Sequence, residues 1–140
     1  MKIQNLFQSL IIISLLTGCM AKPQLVPSSI EPVKPIVFIK NNSKSNVFML
    51  SLTNGKLHLD PNGCIRLGNN TGQFIIWANS SELEYTNDGR ISITNIFNHH
   101  KVFIGDEIRL GGGLYSTTPP ISTPIPDHCA NHGYWIAAPL

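Results

Sequence analysis

Five histidines and three cysteines carry the most versatile chemistry in this 140-residue chain. The densest group is His128-Cys129-Ala130-Asn131-His132, and His99-His100 forms a second pair. Imidazole nitrogen and thiolate sulfur are the ligands that a tetrahedral zinc ion takes. A Cys-x-x-His unit supplies only two of the four. A metal centre would therefore have to combine His128 and His132 with His99 and His100, or use a reduced Cys129. Histidines in polar loops are more often solvated than ligating, so no cofactor is expected and metal binding stands as the alternative reading.

Catalytic constellations are thinner. Asp106-Glu107 and Glu82 with Glu84 are the close acidic pairs, whereas general acid–base work needs two carboxylates held in different environments. Asp106 sits in a turn, where its side chain suits the capping of backbone donors. Glu82 and Glu84 share one face of a strand, most simply the wet one. Ser51, Ser92 and Ser116 lack the strand–turn–helix setting of a nucleophile elbow. Gly111-Gly112-Gly113 precedes no helix whose N-terminus could hold a phosphate, and suits a corner or bulge at a barrel rim. Trp77 and Trp135 lie in apolar runs, where they either pack in the core or line a groove for a ligand or glycan. The chain reads as non-catalytic.

The elements that must position these residues are strands. Short strand-like runs recur at Ile36–Ile39, Val47–Leu52, Lys56–Leu59, Cys64–Leu67, Gln73–Ala78, Arg90–Thr94, Lys101–Ile104, Glu107–Leu110 and Tyr134–Ala137. Asn54-Gly55, Asn62-Gly63, Asp88-Gly89 and Gly105-Asp106 break them, and Asn-Gly between such runs predicts a hairpin. Sustained helical periodicity is missing after the N-terminal region. This pattern predicts an all-β domain over 36–140, a small antiparallel, partly open barrel of OB type or a compact sandwich. Pro119, Pro120, Pro124 and Pro126 make 116–126 a loop. Only 13% of residues are charged and the net charge is +2, so the basic footprint of nucleic-acid binding is missing.

At the N-terminus, Lys2 precedes the apolar run Leu10–Leu16, which is shorter than the roughly 20 residues a membrane-spanning helix needs. A positive start, a short apolar region and small residues after it make a secretory signal over 1–18. Leu16-Thr17-Gly18-Cys19 resembles the lipobox of bacterial lipoproteins. That resemblance implies acylation of the Cys19 thiol, cleavage before it, and anchorage to a membrane by the lipid. Met20, in place of an aspartate, implies the outer membrane facing the periplasm if the host has two membranes. Residues 19–35 carry Pro23, Pro27, Pro32 and Pro35 and read as an extended tether, at ~3.1 Å per residue roughly 50 Å long. With Cys19 taken by lipid, Cys64 and Cys129 remain. Outside the cytoplasm two cysteines most simply pair, pinning the proline-rich excursion to the barrel.

The blocks Gly63–Leu67, Phe74–Trp77, Ile104–Gly113, Ile125–Cys129 and Tyr134–Ile136 stand in this order. The series resembles small secreted or lipid-anchored bacterial proteins with a GDE-x-x-x-GGG stretch between two cysteines, over roughly Gly63 to Ala137. That resemblance implies architecture and the cysteine pair, and no activity. The leading expectation is a non-catalytic envelope lipoprotein whose barrel binds a protein or glycan. The alternatives are a metal-binding protein using His128 and His132, and a protein like the small lysozyme inhibitors, which share size, anchor and β-rich build.

Overall fold

The computed structural model describes residues 34–42, 51–116, 121 and 123–140. The expected signal segment 1–18, Cys19 and the expected tether up to residue 33 lie outside these residues, as does most of the Val47–Leu52 run. The compact unit runs Pro32–Leu140. Its elements are β1 (Ile39–Asn41), β2 (Ser51–Leu59), β3 (Ile65–Leu67), β4 (Gln73–Ala78), β5 (Ser81–Tyr85), β6 (Ile91–Asn95), β7 (Lys101–Phe103), β8 (Glu107–Tyr115), α1 (Asp127–Ala130) and β9 (Tyr134–Ala137). No helix among the described residues is long and apolar enough to cross a membrane.

Five strands close into a ring in the order β2-β3-β4-β9-β8, and β5-β6-β7 form a separate three-stranded sheet. The expected all-β barrel is present, but it is closed rather than partly open, and mixed rather than antiparallel. β9 runs parallel to β4, pairing Phe74 with Tyr134 and Ile76 with Ile136, and β1 also lies parallel to β4. The reason is arithmetic. Strand direction cannot alternate all the way around a ring of five, so one neighbouring pair must be parallel. The order, with its parallel pair between third and fifth strands, is that of an OB-type barrel. Here the β5-β6-β7 sheet fills the connection between the third and fourth barrel strands.

All five barrel strands feed one core, with Leu57, Ile65, Leu67, Ile75, Trp77, Ile108, Leu110, Trp135 and Ala137 inside it. Ile93 and Val102 of the small sheet join the same cluster, so the two sheets share one apolar interior. A second cluster, Ile39, Cys64, Phe74, Ile76, Cys129 and Tyr134, lies on the other face of β4. Alternation along a strand sends odd and even positions to opposite faces. With both faces covered, Phe74–Ala78 is buried throughout, which explains its unbroken apolar run.

Asn54-Gly55 is not a turn. β2 passes straight through it, pairing Asn54 with Arg109 and Gly55 with Ile108. A Cβ at Gly55 would lie 3.1 Å from the Leu67 side chain, so the glycine lets that side chain approach the strand. The turns at Asn62-Gly63, Asp88-Gly89 and Gly105-Asp106 fall where the sequence places them. Gly111–Gly113 continue β8 where its pairing passes from β2 to β9, Gly112 facing both Ser51 and Ala137. Gly112 holds φ +145°, and a Cβ there would meet the Ile136 oxygen at 2.0 Å.

Hydrogen bonds to this unit begin before residue 36. Lys34 Nζ donates to Asn62 Oδ1 at 2.7 Å, and Val37 N donates to Gly63 O at 2.8 Å. Lys34 and Val37 thus bond to the turn between β2 and β3, which supplies both acceptors.

Candidate functional site

Cys64 lies immediately before β3 and Cys129 in the short α1, and the two form a disulfide. Next to it, Arg66 of β3 is only 1% exposed. Its Nε donates to Asp60 Oδ2 at 2.7 Å, Nη1 to the carbonyls of Gly72 and Cys129, and Nη2 to His128 O and Asn131 Oδ1. Asp60 Oδ1 in turn accepts from the backbone N–H groups of Asn62 and Cys64. Burial alone would raise the Asp60 pKa. The Arg66 hydrogen bond, the two backbone donors and the guanidinium charge outweigh it and hold the carboxyl below its ordinary 3.8. Such a satisfied buried pair is a structural hub: it ties α1 and both turns flanking β3 to the barrel.

This hub lies on the face that an OB-type barrel ordinarily presents to a ligand. OB-type barrels commonly use the face of their second and third strands, with the loops after the first and fourth, for ligands. In this chain that face is β3 and β4, and the loops are the Asp60–Cys64 turn and the excursion between β8 and β9. The second apolar cluster, α1, the disulfide and Arg66 fill it with the chain's own residues. Trp77 and Trp135 offer no groove either. Trp77 is 0% exposed with Phe38 stacked on it at 6.0 Å, and Trp135 is buried with Nε1 directed at Gly111 O.

The four expected histidine ligands are not gathered. His99 and His100 project from the loop between β6 and β7, while His128 and His132 flank the end of α1, all four exposed. Among the described residues the one group of potential metal ligands within mutual reach is Cys64, His128 and Cys129. Its two sulfurs are joined to each other.

The exposed feature that stands out is the β6–β7 loop. Phe97 is 80% and Ile96 40% exposed at its tip. Such loops are often mobile, but this one is held at nearly every residue. Asn95 Oδ1 accepts from Phe97 N and Asn98 Oδ1 from His100 N, both at 2.9 Å. His99 N donates to Asn95 O, and Asn95 N to His100 O. Both asparagine amides donate to Leu140 O, at 2.9 and 2.8 Å. His99 adopts φ +58°, a left-handed conformation that costs about 1 kcal/mol for a non-glycine residue and persists because the surrounding bonds dictate it.

Beside the loop lies a cleft of about 510 Å³, with Val102 and Ile108 at its base and His100 and Leu140 shared with the loop. Lys101, Asp106, Glu107 and Arg109 give it charge of both signs. Lys101 pairs with Glu84 at 2.7 Å, and Asp106 Oδ2 caps Phe103 N. The Lys101 hydrogen bond, with a second from Thr94, holds the Glu84 carboxyl below its ordinary value. Glu107 and Arg109 have no side-chain partner among the described residues. Loop and cleft together make a continuous face with an apolar tip and free charges of both signs. Sequence reasoning singled out His99 and His100 here and passed over Phe97. The signal that could have found it is an aromatic between two asparagines in a loop, Asn95-Ile96-Phe97-Asn98.

Comparison with protein families, with curated proteins and with solved structures finds no match to this chain.

Proposed function

We propose that this chain is a lipid-anchored protein of the bacterial envelope that binds a protein partner, without catalysis, through the Ile96–Lys101 loop and its adjoining cleft. Phe97 carries the reading. An 80% exposed aromatic gains no folding energy where it stands, yet the chain commits backbone and side-chain hydrogen bonds to fixing it. Rigid aromatic anchors dominate protein interfaces because their ordering cost is met before binding. Glu107 and Arg109, charged and without a side-chain partner among the described residues, would set register and orientation. The disulfide supports an oxidising compartment, and the lipobox-like segment ending at Cys19 supports the anchor.

The test is photocrosslinking of the full-length protein in a bacterial envelope, with the probe at position 97 and a control at exposed Tyr85. One discrete adduct with a protein, specific to position 97, is the expected result. Equal labelling at both positions, or an adduct with glycan alone, would overturn the assignment.

A further inference from the structure

We propose that Cys64, Cys129 and His128 form a binding site for a zinc-class cation, available when the disulfide is reduced. The two sulfurs and a ring nitrogen of His128 lie within 4.8 Å of one another. Thiolate and imidazole are the ligands such cations prefer, and three protein ligands leave a fourth position for water. The two cysteines stand 5.6 Å apart at Cα. Two thiolates on one tetrahedral metal are separated by about 3.8 Å, given Zn–S bonds of about 2.3 Å, so rotation of the side chains suffices.

Reduction ordinarily lets disulfide partners drift apart. Here a second link holds their backbones together. Cys64 N donates to Asp60 Oδ1 at 2.9 Å, Asp60 pairs with Arg66, and Arg66 donates to the carbonyls of Cys129 and His128 at 3.3 and 3.1 Å. β9 then continues the excursion into the barrel wall against β4. The three ligands therefore stay within reach once the S–S bond is gone. His128 is exposed while both cysteines are buried, so the cation enters from the imidazole side.

The chemistry closes with two reagents, a dithiol and a divalent cation. A dithiol gives two electrons to the disulfide and is itself oxidised to a cyclic disulfide, leaving two protein thiols. A divalent cation then displaces their two protons and binds both sulfurs and the imidazole. Disulfide and metal exclude each other, so occupancy reads out the redox state. None of this depends on the β6–β7 loop or on its partner.

Co2+ is the probe, titrated into the full chain carrying Cys19→Ser so that only two thiols remain. A phosphine, which carries no competing thiol, keeps it reduced. The expected result is one equivalent bound with a sulfur-to-cobalt charge-transfer band and tetrahedral visible bands, displaced by Zn2+ and missing from the oxidised protein. His128→Gln should weaken binding at least about tenfold, and Cys129→Ser should diminish the charge-transfer band. Absence of the band in the reduced protein, or unchanged affinity in His128→Gln, would overturn the site. Tryptophan fluorescence from Trp77 and Trp135 follows the barrel throughout. Loss of the folded signal on reduction without recovery on adding Co2+ would overturn it equally, since the argument requires the Asp60–Arg66 link to hold.

Discussion

Arg66 and Asp60 form an ion pair at 2.7 Å with both side chains almost fully enclosed, the arginine 1% and the aspartate 4% exposed. Asp60 Oδ1 accepts from backbone N–H groups of its own turn, and the rest of the Arg66 guanidinium donates to the carbonyls of Gly72, His128 and Cys129 and to Asn131 Oδ1. The pair is therefore the node at which two turns and α1 meet, and removing one member strands the other.

Arg66→Met should destabilise the domain by ~3–5 kcal/mol, because it leaves Asp60 charged and buried without its partner. The double change with Asp60→Asn should cost less than the sum of the single changes. Urea denaturation of the four proteins measures this, and simple additivity would show that the two residues do not act as a unit.

Acid should expose the same pair. A carboxyl held below its ordinary 3.8 contributes stability that is fully present above that value and lost as pH falls through the lower folded one. Denaturation midpoints should stay level from neutral pH down to about 5 and decline below about 4. Asp60→Asn should lower and flatten the curve. Asp88, held down to about 2 by Thr86 and Arg90, and Glu84 add to the same acid limb from the surface. Their share should shrink in 1 M salt, whereas that of Asp60 should persist.

Substituting both Cys64 and Cys129 by serine should cost about 4 kcal/mol on the chain-entropy estimate for a 65-residue separation. The barrel should still fold at low temperature, since Arg66 and β9 remain in place. Near-ultraviolet circular dichroism, sensitive to Trp77 and Trp135, distinguishes a weakened barrel from a lost one.

Phe97→Ser should shift stability by no more than about 0.5 kcal/mol while abolishing capture of the partner. Asn95→Ala should do both kinds of damage, about 1–3 kcal/mol from a 3% exposed side chain that serves Phe97 N and Leu140 O. Parallel thermal melts and crosslinking yields separate the two effects.

Gly112→Ala should be among the most damaging single changes, a few kcal/mol or outright misfolding. Its Cβ would lie 2.0 Å from the Ile136 oxygen and 2.9 Å from Trp135 Nε1, at a φ that L residues avoid. Gly89→Ala, also at positive φ but with open space around it, should cost about 1 kcal/mol. A comparison of soluble yields and melting temperatures checks the contrast.

The strand-rich class, three of the four glycine turns and the cysteine pair were legible because each is written locally, in alternation, in turn residues or in cysteine count. Asn54-Gly55 misled because a glycine can serve a neighbour's side chain as well as a turn, and only the Leu67 contact tells them apart. The parallel pairing of β4 with β9 leaves no local mark, since it follows from closing a ring of five, and that of β4 with β1, outside the ring, joins segments distant in sequence. α1 has four residues, too few to show a helical period. Arg66 and Phe97 reverse the usual sides of the surface, a charge inside and an aromatic outside, and residue type alone predicts the opposite for each. Trp77 and Trp135 were open between core and groove, and burial assigns both to the core.

The parallel union of β4 with β9 has a bearing on the order in which the molecule can assemble. β9 is the last barrel strand to leave a ribosome or an export channel, so Gln73–Ala78 must wait, uncovered along one edge, until Tyr134–Ala137 arrives. Early strands can pair as hairpins, but the ring cannot shut. Contacts this distant along the chain make folding slow. A chain of this kind therefore stays open as it emerges, with the free edge of Gln73–Ala78 exposed, until the final barrel strand is through.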